Sequence, residues 1–173
     1  MTVYDPPVNT YVPLQTITLG SAAASVTFAS ISQDYRDLVL VSSVIHTVNT
    51  NHKMQLNGDT GSNYSFVQMF GNGSSPTSNI GTNNYFTPFI NSNPNTDTSK
   101  PIMAITQIMD YSATDKHKTM IIRADAEATA FSPATSASAH RWANTSAVTS
   151  IYIFPVSGSL AANTTFSLFG IEA

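Results

Sequence analysis

Near the C-terminus Phe166 and Leu168 alternate with Thr165, Ser167 and Phe169, a period of two. Successive side chains of a strand point to opposite faces, so the pattern predicts a strand over Thr164–Ile171. A segment this close to a chain end stays ordered when a sheet holds it, which predicts an interior position in the sheet. Similar apolar stretches recur at Leu14–Leu19, Ser25–Phe28, Tyr35–Ile45, Lys53–Leu56, Asn63–Phe70, Ile102–Tyr111, Lys118–Ala126 and Ala147–Phe154. Tyr35–Ile45 is the strongest of them, rich in branched residues. Tyr85–Ile90 is a shorter apolar piece.

Between these segments lie turn residues. Asn57-Gly58 supplies the positive φ angles a tight turn needs. Gly71–Asn84 and Asn91–Pro101 are rich in Gly, Ser, Asn, Thr and Pro without apolar rhythm, and read as two long surface loops. Phe131–His140 is a small-residue stretch with no assigned element, and Trp142 opens a final hairpin-like unit. Ala124–Ala130 also fits a short, uncapped helix. Many short strands separated by turns predict an all-β, antiparallel β-sandwich of jelly-roll-like type over residues 14–173. Residues 1–13 carry Pro6, Pro7 and Pro13, which disfavour helix and central strand, and read as an extended arm. A solvated tail is the plainer alternative. Tyr4, Val8, Tyr11 and Val12 favour an arm that lays apolar side chains on a partner.

Composition narrows the function. In 173 residues only 10% are charged and the net charge is −3, so there is no basic face for nucleic acid. No cysteine is present, which removes disulfides, thiolate metal sites and thiol nucleophiles. No apolar run approaches the ~18 residues of a membrane helix. The N-terminal residues lack the basic-then-apolar pattern of a secretion signal. Low charge leaves little to repel a neighbouring copy.

Candidate chemistry is sparse. Asn57–Asn63 places oxygen ligands near Gly58 and Gly61, but a single Asp59 balances a divalent cation poorly, and a tight turn explains the same residues. His46, His52, His117 and His140 show no metal-ligand spacing. No nucleophile elbow occurs, and Ser157-Gly158-Ser159 reads as a turn. Asp110 with Asp125 is the one carboxylate pair a glycosidase reading would use. Arg141-Trp142 either stacks a ligand or sits in core or interface, and Tyr85, Phe86 and Phe89 either line a glycan or partner patch with Trp142 or cap the sandwich. No catalytic residue, cofactor or metal is expected.

Several of these segments together resemble a family of tailed-bacteriophage virion proteins, frequent among cyanophages. They are Ser25–Ile31 leading to Tyr35–Val41, Leu56–Tyr64 with its Leu-Asn-Gly-Asp and Asn-Tyr, Asp110-Tyr111 with Lys118-Thr119, Ala147–Ile153, and the closing Thr-Phe-Ser-Leu-Phe-Gly-Ile. The resemblance spans most of the chain from Leu14. It implies a jelly-roll-like module of the virion, assembled in the host cytoplasm, either a head decoration (cement) protein or part of a tail or fibre. No shaft of repeats or coiled coil is visible, which favours the decoration protein. The expected partners are the major capsid protein, other virion subunits and copies of the chain itself in a trimer, without nucleic acid or membrane. The alternative is a tail or fibre module that grips host glycan through Trp142, Tyr85 and Phe86.

Overall fold

The computed structural model describes residues 10–71, 75–89, 98–126 and 134–172. They form an all-β antiparallel sandwich. Its eleven strands are β1 (Tyr11–Thr18), β2 (Val26–Phe28), β3 (Asp37–Val44), β4 (His52–Leu56), β5 (Tyr64–Gly71), β6 (Pro76–Asn83), β7 (Ile102–Met109), β8 (Lys118–Ala126), β9 (Ala134–Trp142), β10 (Ile151–Pro155) and β11 (Thr165–Ile171). Eight make one sheet, in the order β1-β11-β3-β7-β8-β9-β5-β6, and three make the other, β2-β10-β4. β1 and β2 pair with β11 and β10, while β3 and β4 flank the other sides of the same two strands. This wrapping is jelly-roll-like. Strands β5–β9 widen the larger sheet.

The C-terminal strand lies where its alternation predicts. β11 sits between β1 and β3, with Phe166 and Leu168 turned into the core. Gly170 on the same face leaves room for the ring of Tyr35, which stands where a Cβ would be. The small sheet contributes Val26, Phe28, Met54, Leu56, Ile151 and Ile153 to the same core. The segment after β6 extends that cover, because Phe86 forms a bridge with Met54 and Phe89 is also buried.

Four expectations are corrected. The sandwich begins at Tyr11 and not Leu14: Tyr11, Val12 and Pro13 pair with Ile171, Gly170 and Phe169, so the proline stands in an edge strand, where it is tolerated. Gly71–Asn84 is not one long loop. Most of it is β6, an edge strand paired with β5 from Tyr64↔Asn83 to Gly71↔Pro76. Edge strands with little burial need no apolar rhythm, since the ladder supplies their order. The small-residue stretch before Trp142 is β9, a central strand between β8 and β5, and Trp142 ends it. Its small side chains fit because both neighbours carry long ones. Finally, β10 starts at Ile151. The preceding backbone is tied instead by the Asn57 side chain, which donates to Ala147 O at 2.7 Å and accepts from Thr149 N at 2.8 Å and Ser150 N at 3.1 Å. For the alternative helix at 124–130, residues 124–126 belong to β8 and the rest lie outside the described residues.

The two edges of the large sheet differ. β1 carries Pro13 and a register shift between Pro13 and Gln15, whereas β6 pairs regularly along its length.

Candidate functional site

The turn after β4 forms as the sequence predicts. Asn57 and Gly58 adopt φ of 53° and 68°, and Asp59 N donates to Leu56 O at 2.9 Å. Asp59 then organises the corner. One carboxylate oxygen accepts from Trp142 Nε1 at 2.7 Å and Asn63 Nδ2 at 2.9 Å, and the other from Gly61 N at 2.8 Å. Partial burial pushes this carboxyl upward, but the hydrogen bonds from Asn63, Trp142, Gly61 and Asn144 outweigh it and hold it below the usual carboxylate range. With both oxygens committed to donors, the Asn57–Asn63 turn is read as a structural knot.

Trp142 is fully buried, and its ring stacks on Tyr64 at 6.4 Å, which stacks on Phe86 at 6.1 Å. The Tyr64 hydroxyl accepts from Leu56 N at 3.0 Å, and burial pushes its ionisation upward. Phe89 is buried as well. Tyr85 is half-buried, with Lys53 Nζ 4.0 Å from its ring centroid. The anticipated glycan patch is therefore corrected: three of its four aromatics are core, because the segment after β6 folds inward over β4 and β5. Of the anticipated arm contacts, Tyr11 is exposed in β1 and packs edge-on to Phe169, and Val12 lies beside it in the strand. Tyr4 and Val8 lie outside the described residues.

The Asp110–Asp125 pair does not assemble. Met109 pairs with Thr119 and Met103 with Asp125, so the two carboxylates sit at opposite ends of the β7–β8 hairpin, roughly 20 Å apart at strand rise. Asp110 pairs with Lys116 at 3.2 Å. Lys118 is buried, its ammonium donating to Lys116 O at 2.9 Å and Thr145 O at 3.2 Å, and burial lowers its pKa. Asp37 is buried too, accepting from Gln107 Nε2 and Asp110 N, each at 3.0 Å.

Three histidines are core residues. His46 and His52 stack at 5.6 Å, and His52 meets Phe166 edge-on. Desolvation lowers His46 to about 4, and desolvation with the neighbouring His46 lowers His52 to about 3. His140, whose Nε2 lies 3.1 Å from Ser138 Oγ, is lowered to about 4 by burial. Both ring nitrogens of His52, Nε2 of His46 and Nδ1 of His140 are buried without a partner. Among the described residues no three His, Asp or Glu side chains converge as metal ligands.

A different surface stands out, one that the motif search missed. The outward face of the large sheet mixes polar side chains, among them Arg123, Asp125 and Arg141, with a set of exposed apolar ones. Six of the nine exposed large apolar residues lie on its strands β5 to β8: Val67, Met69, Ile80, Met103, Ile105 and Ile121. Ile80 is 81% exposed and Met69 66%. The register sets them in rows across the strands. One row runs Val41, Ile105, Arg123, Ala137, Met69, Ser78, and the next Ser43, Met103, Asp125, Thr135, Gly71, Pro76. Over these two rows the surface sinks into an open depression of about 970 Å³. The sequence signal was present: in β7 both phases of the alternation carry apolar residues, Ile102, Ala104 and Ile108 inward, Met103 and Ile105 outward. No family model, curated protein or solved structure matches this chain.

Proposed function

We propose that this chain is a non-enzymatic virion structural protein, a capsid decoration protein that braces the head by adhesion between subunits. The observation that carries the adhesive reading is the outward face of the large sheet, where exposed Val67, Met69, Ile80, Met103, Ile105 and Ile121 lie uncovered by any described residue. Monomeric proteins seldom expose a contiguous apolar patch of more than a few hundred Å². The Asp59, Asp37 and Lys118 side chains, by contrast, all hold loops and strands together. The virion setting rests on the sequence resemblance. Such a brace needs only a standard interface of roughly 1,600 Å² to bind stably, and repetition over the head lattice adds avidity.

The test is to add purified protein to phage heads that lack it and to image the particles. Regular density on the head lattice is expected. Density confined to the tail, or failure to co-sediment with heads, would sink the decoration role.

A further inference from the structure

We propose that the outward face of the small sheet binds an acidic glycan, a chain of sugar rings that carries carboxylates. The inference is independent of the virion assignment. It concerns the side of the sandwich opposite to the adhesive face.

Strand alternation builds this surface. Val26, Phe28, Met54, Leu56, Ile151 and Ile153 turn into the core, so Thr27, Lys53, Gln55, Tyr152 and Phe154 turn outward. In the register Tyr152 lies between Thr27 and Gln55, and Phe154 lies beside Lys53. The segment 84–89 adds a fourth ribbon. Met54 and Phe86 exchange backbone hydrogen bonds at 2.9 and 3.0 Å, and Gln55 Nε2 donates to Asn84 O at 2.8 Å. Tyr85 is thereby held at the margin of the same face, its ring centroid 4.0 Å from Lys53 Nζ.

The chemistry of these side chains selects the ligand. Tyr152 and Phe154 stack at 5.0 Å and 24°, and both are half-buried, as is Tyr85. Three rings thus line a surface that the core does not use, with a hydroxyl and an amide beside them. Aromatic walls with a few placed polar groups suit a ligand whose rings have apolar C–H faces and hydroxyl rims. Charge narrows the class further. Lys53 is the single side chain of these four ribbons that is charged at neutral pH, and it forms no ion pair with any described residue. The face is therefore positive on a chain of net charge −3. Partial burial lowers the pKa of Lys53, and contact with the Tyr85 ring replaces lost hydration only in part. A ligand carboxylate would favour the charged form.

Size argues against a protein as the occupant. Strands of three, five and five residues, with the adjoining segment, cover about 300 Å² at strand spacing. A stable protein interface takes about 800 Å² from each partner.

Isothermal titration calorimetry on the full chain tests this. The probes are an oligogalacturonate, an oligoglucuronate, a neutral cello-oligosaccharide and an oligoglutamate of equal length. At least one uronate should bind about 10-fold tighter than the neutral sugar, with an affinity that falls as salt rises, and the oligoglutamate should bind least. Lys53→Gln should abolish the preference and the salt dependence. Tyr152→Ala should weaken both sugars by about 10-fold, with melting curves to confirm the fold. Amide shift changes in the wild type need no variant and should cluster around Lys53, Gln55, Tyr85, Tyr152 and Phe154. Binding of neither uronate, equal affinity for the neutral sugar or for oligoglutamate, a preference that survives Lys53→Gln, or shift changes elsewhere would each overturn the proposal. The head-binding assay separates the two readings. Protein that decorates heads and ignores uronates removes the glycan site and leaves the brace, and the opposite pair of results does the reverse.

Discussion

Acid should unfold this protein well before its carboxylates protonate, because three neutral histidines are built into the core. Unfolded, each titrates near 6.5; folded, His46 and His140 titrate near 4 and His52 near 3. Above pH 6.5 both states are neutral at these positions and nothing is gained or lost. Below it the unfolded chain takes up protons that the folded chain refuses, so stability falls with pH until the folded values are reached. The slope is about 1.4 kcal/mol per pH unit for each ring. At pH 5 the three together cost about 6 kcal/mol relative to pH 8, comparable with the whole stability of an ordinary domain, about 5–15 kcal/mol. Asp59 acts in a lower window. Its lowered pKa adds stability above the usual carboxylate range that is lost only as pH drops through the folded value. The assay is urea unfolding followed by the fluorescence of the single, buried Trp142 at a series of pH values. The wild type should lose about 6 kcal/mol between pH 8 and 5, and His52→Leu only about 4. At pH 8 the substitution should cost little, since both His52 ring nitrogens are buried without a partner. Constant stability over this range, or an unchanged slope in His52→Leu, would refute the account.

Other outcomes follow from single contacts. Gly170→Ala puts a Cβ 2.3 Å from the Tyr35 ring, and overpacking of this kind should cost about 1–3 kcal/mol in chemical denaturation, with Tyr35→Ala/Gly170→Ala recovering part of the strain. Asp59→Ala removes the acceptor of the buried Trp142 N–H and should destabilise by about 1–3 kcal/mol, with a shift in tryptophan emission. Phe86→Ala should cost about 3–5 kcal/mol, as expected of a core ring and not of a ligand-stacking one, and a melting curve decides it.

Elements with their own alternation were legible in the sequence. β11 and β8 lie close to where the apolar rhythm puts them, and the Asn57-Gly58 turn has the backbone its residue types demand. β6 and β9 were hidden for opposite reasons. β6 is an edge strand whose exposed Thr, Ser and Asn carry no pattern, and β9 is a central strand whose positions are filled by Ala and Ser between larger neighbours. In both, pairing partners decide the structure, and these are far away in sequence. The aromatic cluster was misplaced because Phe86 and Phe89 have the same composition whether a segment folds in or out. The Met54–Phe86 bridge and the Tyr64–Phe86 stack show that it folds in. The outward apolar residues were visible in β7, where both phases of the alternation carry apolar side chains.

The unequal borders of the large sheet bear on how the molecule avoids fibrils. Proline and a register shift blunt the β1 margin, so no further strand adds there readily. Among the described residues the β6 margin, which starts on Pro76, has no such register shift and nothing paired on its outer side. Should two molecules ever zip together along it, the joined ribbon would present a blunted border at each extremity, and accretion would halt at a pair.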